Sequence, residues 1–327
     1  MANRNFIESN SLIKMAVNLN NFLNKDYLEN IPRRILTSEN DIFLESFVFY
    51  KINSYRSVGR TDDNLNVIQN SMNSLLGSSY STYYPFLFVV SKNEGYVEIF
   101  FGCHPSLANM FKRSVLGTIN SIELKNEFID QKLLKIIGAK GGIVTGLPHK
   151  YLLLDNVLNG FTNLQNGIIM NICMPYERKH IDLSTAKLDQ LKMMYSPLSK
   201  QVRTFGISNR FNMEVVNQDV DILLKSIDKL ETRLNEAKSE GLWRVCTWVC
   251  SNTVDEAKDI SSIYIGEISK NEENEVRNEK YHFIETSTTP FSLGKVFIPY
   301  ISTSVPSILN EEIFNSGLSS VMTKQNL

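Results

Sequence analysis

The chain lacks the residues that its glycine pattern would need for nucleotide hydrolysis. Gly141 and Gly146 have four residues between them, as in a phosphate-binding P-loop, but Leu147-Pro148 follows where that loop has Lys and then Ser or Thr. The lysine reaches the β- and γ-phosphates and the hydroxyl holds magnesium, so glycines alone make a turn with no charge aimed at a nucleotide. No acidic Walker B strand occurs either, and the sequence therefore predicts no ATP hydrolysis by this chain. Cysteine is also scarce. Cys103, Cys173, Cys246 and Cys250 are too few and too scattered for a disulfide scaffold in 327 residues, and they read as reduced core residues. Long apolar runs are absent, and the opening MANRNFIESNSLIKMAVNLN has Asn and Glu where a secretory signal needs an unbroken apolar core. A cytoplasmic location with no membrane span is expected. Formal net charge is only -1, with both signs spread along the chain, so composition does not describe a general nucleic-acid-coating protein.

What is present is a hydrophobic fraction of 43%, enough to bury a substantial core across two domains or three. After a polar, helical opening, Phe43 to Tyr55 is rich in Phe, Val, Tyr and Ile and reads as a strand. Leu65, Ile68, Met72 and Leu75 or Leu76 recur at helical spacing, with Gly77 as a stop. PFLFVVS and GYVEIFFG flank Lys92-Asn93-Glu94 and predict a β-hairpin. A helix opening at Pro105-Ser106 turns Leu107, Met110, Phe111 and Leu116 inward, and another is expected from Glu127 to Ile137. GGIVTG and GIIMNICM are the next strands.

From about Leu183 to Lys238 the sequence predicts a helical hairpin broken near Gly206-Ile207-Ser208-Asn209. Its second arm keeps Val220, Leu223, Leu224, Ile227, Leu230, Leu234 and Ala237 on one stripe, which is either intramolecular packing or a partner-binding seam. LWRVCTWVCS then reads as a strand, and Thr253 with Glu256 announces a capped helix. The expected fold is α+β: two α/β layered units with mainly antiparallel sheets, separated by a long helical hairpin. The expected boundaries are a helical segment at 1–40, a first unit at 41–180, the hairpin at 181–240, a second unit at 241–285, and a linker or docking arm at 286–327.

Chemistry-bearing groups are few. Cys103-His104, between a strand and a helix, is either a nucleophile with its base or a buried thiol beside a capping histidine. Gly141, Gly142 and Gly146, with His149 and Lys150 behind them, would cradle an anion; the alternative is a glycine-bounded strand and turn. Lys112, Arg113, Arg178, Lys179, Arg203 and Arg210 are the candidate phosphate contacts, though each also suits a solvated face, and exposed aromatics interleaved with them are missing from the pattern. No metal site is indicated: Cys246 and Cys250 on one strand face would stand about 13 Å apart, too far for joint coordination or a disulfide.

Three stretches carry a resemblance: GYVEIFFGCHPSLANMFKRSVLGTINSIEL, GGIVTGLPHKYLLLDNVLNGFTNLQNGIIMNICMPY and EGLWRVCTWVCSNTVDEAKDISSIYIGEI. In succession they resemble the N-terminal region of bacterial ATP-binding proteins of the HerA/FtsK superfamily, which includes conjugation and type IV secretion motors. Gly102, Gly146, Pro148, Gly241, Trp243 and Arg244 are its landmarks, and none carries a catalytic role across. The resemblance implies a non-catalytic recognition and assembly domain for DNA or protein translocation or phage defence, as an excised segment or a stand-alone relative. It further implies protein partners and self-association, with nucleic acid as the alternative contact, and ATP and Mg belonging only to a missing motor domain. Two alternatives stay open: an enzyme using Cys103-His104 or the Gly141 to Lys150 loop, and a phage-associated or structural assembly protein.

Overall fold

The computed structural model describes residues 2–30, 42–55, 76–77, 80, 82–93, 95–110, 113, 122–126, 135–146, 157, 159–160, 166–205, 211–269, 281–299, 306–309, 313–314 and 318–323. In chain order these include α1 (Ala2–Leu23), β1 (Ile42–Phe43), β2 (Val48–Tyr55), β3 (Phe86–Asn93), β4 (Tyr96–Cys103), β5 (Ile122–Asn126), β6 (Lys140–Thr145) and β7 (Gly167–Pro175). Then follow α2 (Arg178–Ser199), β8 (Lys200–Phe205), β9 (Phe211–Val216), α3 (Gln218–Glu240), β10 (Leu242–Ser251) and α4 (Val254–Ile268). The remaining elements are β11 (His282–Thr286), α5 (Pro290–Leu293), β12 (Lys295–Val296) and β13 (Ser320–Thr323). The fold is mixed α+β with antiparallel pairing throughout its sheets, and a helical hairpin lies between the sheet-bearing segments.

The chain divides into two compact units. In the sheet unit (Ile31–Glu177, Glu240–Thr303, Ser316–Leu327), strands from before and after the hairpin share one nine-stranded sheet. Its order is β11-β6-β10-β7-β3-β4-β2-β5, with β13 also on β10. The segments expected as separate units at 41–180 and 241–285 are thus one body. The reason is β10: one edge pairs along β7, and the other is shared by β6 beside Thr247 to Ser251 and β13 beside Leu242 to Val245. Apart from Arg244, every β10 residue is buried, as befits a central strand covered on both faces.

Two core clusters lie along the sheet. One gathers Tyr50, Phe86, Phe101, Cys103, Cys173, Trp243 and Val245; the other sets Ile260, Tyr264 and Ile268 of α4 against Val90, Val144, Ile169 and Val249. Thr253 caps α4 as its spacing predicts, its hydroxyl accepting from the Glu256 amide at 3.3 Å. The Glu256 carboxylate instead pairs with the Ser251 hydroxyl at 2.6 Å. Asn171 and Thr247, polar breaks in two apolar strands, are cross-strand partners, and both side chains hydrogen-bond to Tyr264. Burial pushes the Tyr264 phenol up, against those two hydrogen bonds.

The stretch from 286 onward corrects the expectation of a linker or docking arm. Phe291, Val296, Phe297, Ile298, Leu318 and Met322 are buried, β12 pairs with β1, and β13 completes the edge of β10. Its prolines and irregular spacing obscured strands too short to show alternation.

The second unit comprises Met1–Asn30, Arg178–Ser239 and Ser304–Asn315. The N-terminal segment expected to stand apart at 1–40 therefore contributes α1 to the hairpin's own body, where the Asn20 side-chain amide donates to the Asp219 carbonyl at 2.9 Å. Val220, Leu223, Ile227, Leu234 and Ala237 of α3 are buried, which makes most of the predicted stripe intramolecular packing. Lys192 of α2 reaches Asp228 at 2.8 Å and Glu231 at 2.9 Å on α3. Between the helices lies an antiparallel ribbon of β8 and β9, closed at its base by the Asn217 amide donating to the Ser199 carbonyl at 3.0 Å. None of the helices among the described residues is long and apolar enough to cross a membrane.

Candidate functional site

Gly141 and Gly142 sit inside β6 rather than in a loop. Gly141 lies between Cys250 of β10 and Thr286 of β11, Gly142 between Val249 and Glu285, and both are buried. A Cβ on Gly141 would strike the Val249 carbonyl, and one on Gly142 the Ile284 carbonyl. These glycines serve close approach of neighbouring backbones, with strands on both edges where a phosphate cradle needs open amides. Gly146 ends the strand at φ +121, beneath the ring of Tyr281, and its carbonyl accepts from the Ser320 hydroxyl at 2.8 Å. His149 and Lys150 lie outside the described residues.

Cys103 closes β4 with its side chain fully buried in the core, and burial pushes its thiol up to about 12. A nucleophilic cysteine needs the opposite shift. His104 is committed elsewhere: its Nδ1 accepts from the Ser106 amide at 3.3 Å, capping the short turn Pro105–Leu107, and its ring stacks on Tyr84. Among the candidate phosphate contacts, Arg113 is exposed and helical, and Arg178 and Lys179 are exposed at the start of α2. Arg203 lies in β8, while Lys112 and Arg210 fall outside the described residues.

The structure assembles a different group, whose tyrosines the sequence pattern did not single out. Tyr80 packs edge-on against Trp243, with centroids 5.0 Å apart, and its hydroxyl donates to the Tyr176 carbonyl. Gly241 makes room for that ring: at φ +96 it has no side chain, and a Cβ there would lie 2.8 Å from Tyr80. Tyr176 in turn lies under the Arg244 guanidinium at 5.9 Å, and Arg244 also donates to the Met174 sulfur at 3.4 Å. Three of the resemblance landmarks, Gly241, Trp243 and Arg244, therefore converge on one aromatic anchor.

From that anchor the aromatic series runs outward. Tyr83 follows at 6.1 Å from Tyr80, with its backbone at φ 56, a conformation rare for a residue with a side chain. Tyr84 stacks on His104 at 4.3 Å with the rings only 6° from parallel. Tyr83 is 49% exposed and Tyr84 38%, so two consecutive rings, each packed on one aromatic neighbour, reach solvent. The available signal was the run YSTYYP, whose three tyrosines have neither helical nor strand periodicity and precede a proline. No known family profile matches the chain, and no curated protein matches it significantly.

Proposed function

We propose that this chain is a non-catalytic recognition and assembly domain of a HerA/FtsK-like translocase, acting beside a motor that supplies ATP hydrolysis. The observation that carries the reading is the outer face of α2. Its inner stripe, Ile181, Ser184, Leu188, Leu191 and Tyr195, is buried. Leu183, Ala186, Gln190, Met193 and Pro197 recur at alternating three- and four-residue steps on the opposite side, and all five are exposed. Met193 is 78% exposed and Leu183 51%, on a helix already packed by its other face. A second, largely apolar stripe on such a helix is the pattern of a surface covered in an assembly.

The test is the endogenous assembly, captured from its native host with an antibody against this chain and weighed by native mass spectrometry. A RecA-like ATPase in the same polypeptide, or in stoichiometric complex with it, is expected, in a multimer that Leu183→Asp with Met193→Asp dissociates. A lone 37.3 kDa species that neither self-associates nor binds an ATPase overturns the proposal.

A further inference from the structure

We infer that Tyr83, Tyr84 and His104 form a stacking platform for the bases of a single-stranded nucleic acid. The inference stands on the sheet unit alone and does not depend on the assembly reading. Three observations bear on it. The Tyr84 and His104 rings lie 6° from parallel at 4.3 Å, a layered stack that a planar base extends by the same π contact. The Tyr80 ring is preorganised by Trp243, by Gly241 and by its hydrogen bond to Tyr176, and Tyr83 packs on it at 6.1 Å, so little ordering entropy opposes binding at Tyr83. Tyr83, against Tyr80, is half exposed and has a left-handed backbone, a strained geometry of the kind concentrated at ligand-binding positions.

Single-stranded nucleic acid fits better than a proline-rich peptide. A polyproline helix docks in grooves between aromatic ridges, whereas Tyr84 and His104 are closed face to face and leave no slot between them. The segment after His104 also presents exposed Ser106, Asn109 and Arg113, donors suited to a sugar-phosphate backbone. Stacking of this kind is indifferent to base identity, so the platform would hold a strand without reading its sequence.

Fluorescence anisotropy of the full chain with a labelled oligothymidylate tests this, with the corresponding duplex as comparator. Preference for the single strand is expected, with roughly tenfold or greater weakening by Tyr84→Ala and near-normal binding by Tyr84→Phe, which keeps the ring. Photocrosslinking of the unmutated protein to an iodouracil-substituted strand keeps the test independent of any folding defect, and adducts are expected at Tyr83, Tyr84 or His104. Absence of oligonucleotide binding, adducts confined to other residues, or binding that Tyr84→Ala leaves unchanged overturns the inference. So does a proline-rich peptide that occupies these rings while the oligonucleotide does not.

Discussion

The ring of Tyr80 meets that of Trp243 at 64°, with the side-chain-free Gly241 beside both. This arrangement joins Gly241 and the first residues of β10 to the tyrosine run that precedes β3. A residue with a left-handed backbone is here also the residue over which an aromatic ring is seated, so two separate requirements exclude a side chain.

Gly241→Ala should consequently cost about 1–3 kcal/mol, from backbone strain at positive φ together with displacement of Tyr80. Urea unfolding measures the loss, and Trp243 fluorescence should report the displaced ring. Unchanged stability with unchanged emission would show that the seat is not needed.

The buried thiols should make the protein sensitive to alkali. Burial raises Cys103 and Cys173 from the ordinary value of 9.0 to about 12 in the folded chain. Each thiol then holds its proton more tightly folded than unfolded, so its contribution is fully present below about pH 9 and is lost as pH rises towards 12. Stability from urea titrations should fall across that window, by at most about 1.4 kcal/mol per pH unit for each thiol, and less steeply in Cys103→Ala. Native protein should also react slowly with Ellman's reagent at pH 8, with all four thiols reacting in denaturant. Rapid native reaction of Cys103 would contradict its burial.

Gly142 separates sheet packing from anion binding. A Cβ there meets the Ile284 carbonyl and lies 2.8 Å from the Ile284 carbonyl carbon, so Gly142→Ala should destabilise the sheet by about 1–3 kcal/mol or more. Inorganic phosphate should leave the thermal midpoint of the unmutated chain where it is, beyond its general salt effect. A saturable, millimolar stabilisation abolished by Gly142→Ala would instead restore the anion-cradle reading.

Much of the architecture was legible because it is local. The β3–β4 hairpin, the α3 stripe and the Thr253 cap each follow from periodicities or spacings within a few residues, where rise per residue and side-chain direction leave few choices. The tip of the helical hairpin was read only as a break. Lys200–Phe205 and Phe211–Val216 on either side of it pair as the β8–β9 ribbon, whose mixed polar and apolar residues give no clean alternation.

The candidate site was less legible for the same reason. Cys103, Gly141 and Gly146 drew attention by residue type, yet folding commits the first to the core, the second to strand packing and the third to a turn under Tyr281. Tyr80, Tyr83 and Tyr84 lie outside every periodic pattern, and the seat of Tyr80 forms only when Gly241 and Trp243, distant in sequence, come beside it.

The order of residues along the chain decided the long helices and the longer strands, because helical hydrogen bonding and side-chain periodicity act over one or two turns of backbone. The folded chain alone decided that β10 enters the middle of the earlier sheet, that the closing segment supplies its missing edge, and that a tyrosine run becomes an anchored surface. Those outcomes depend on which apolar faces bury one another and which strand edges find partners. Such pairings join residues far apart in sequence, and no short-range pattern encodes them.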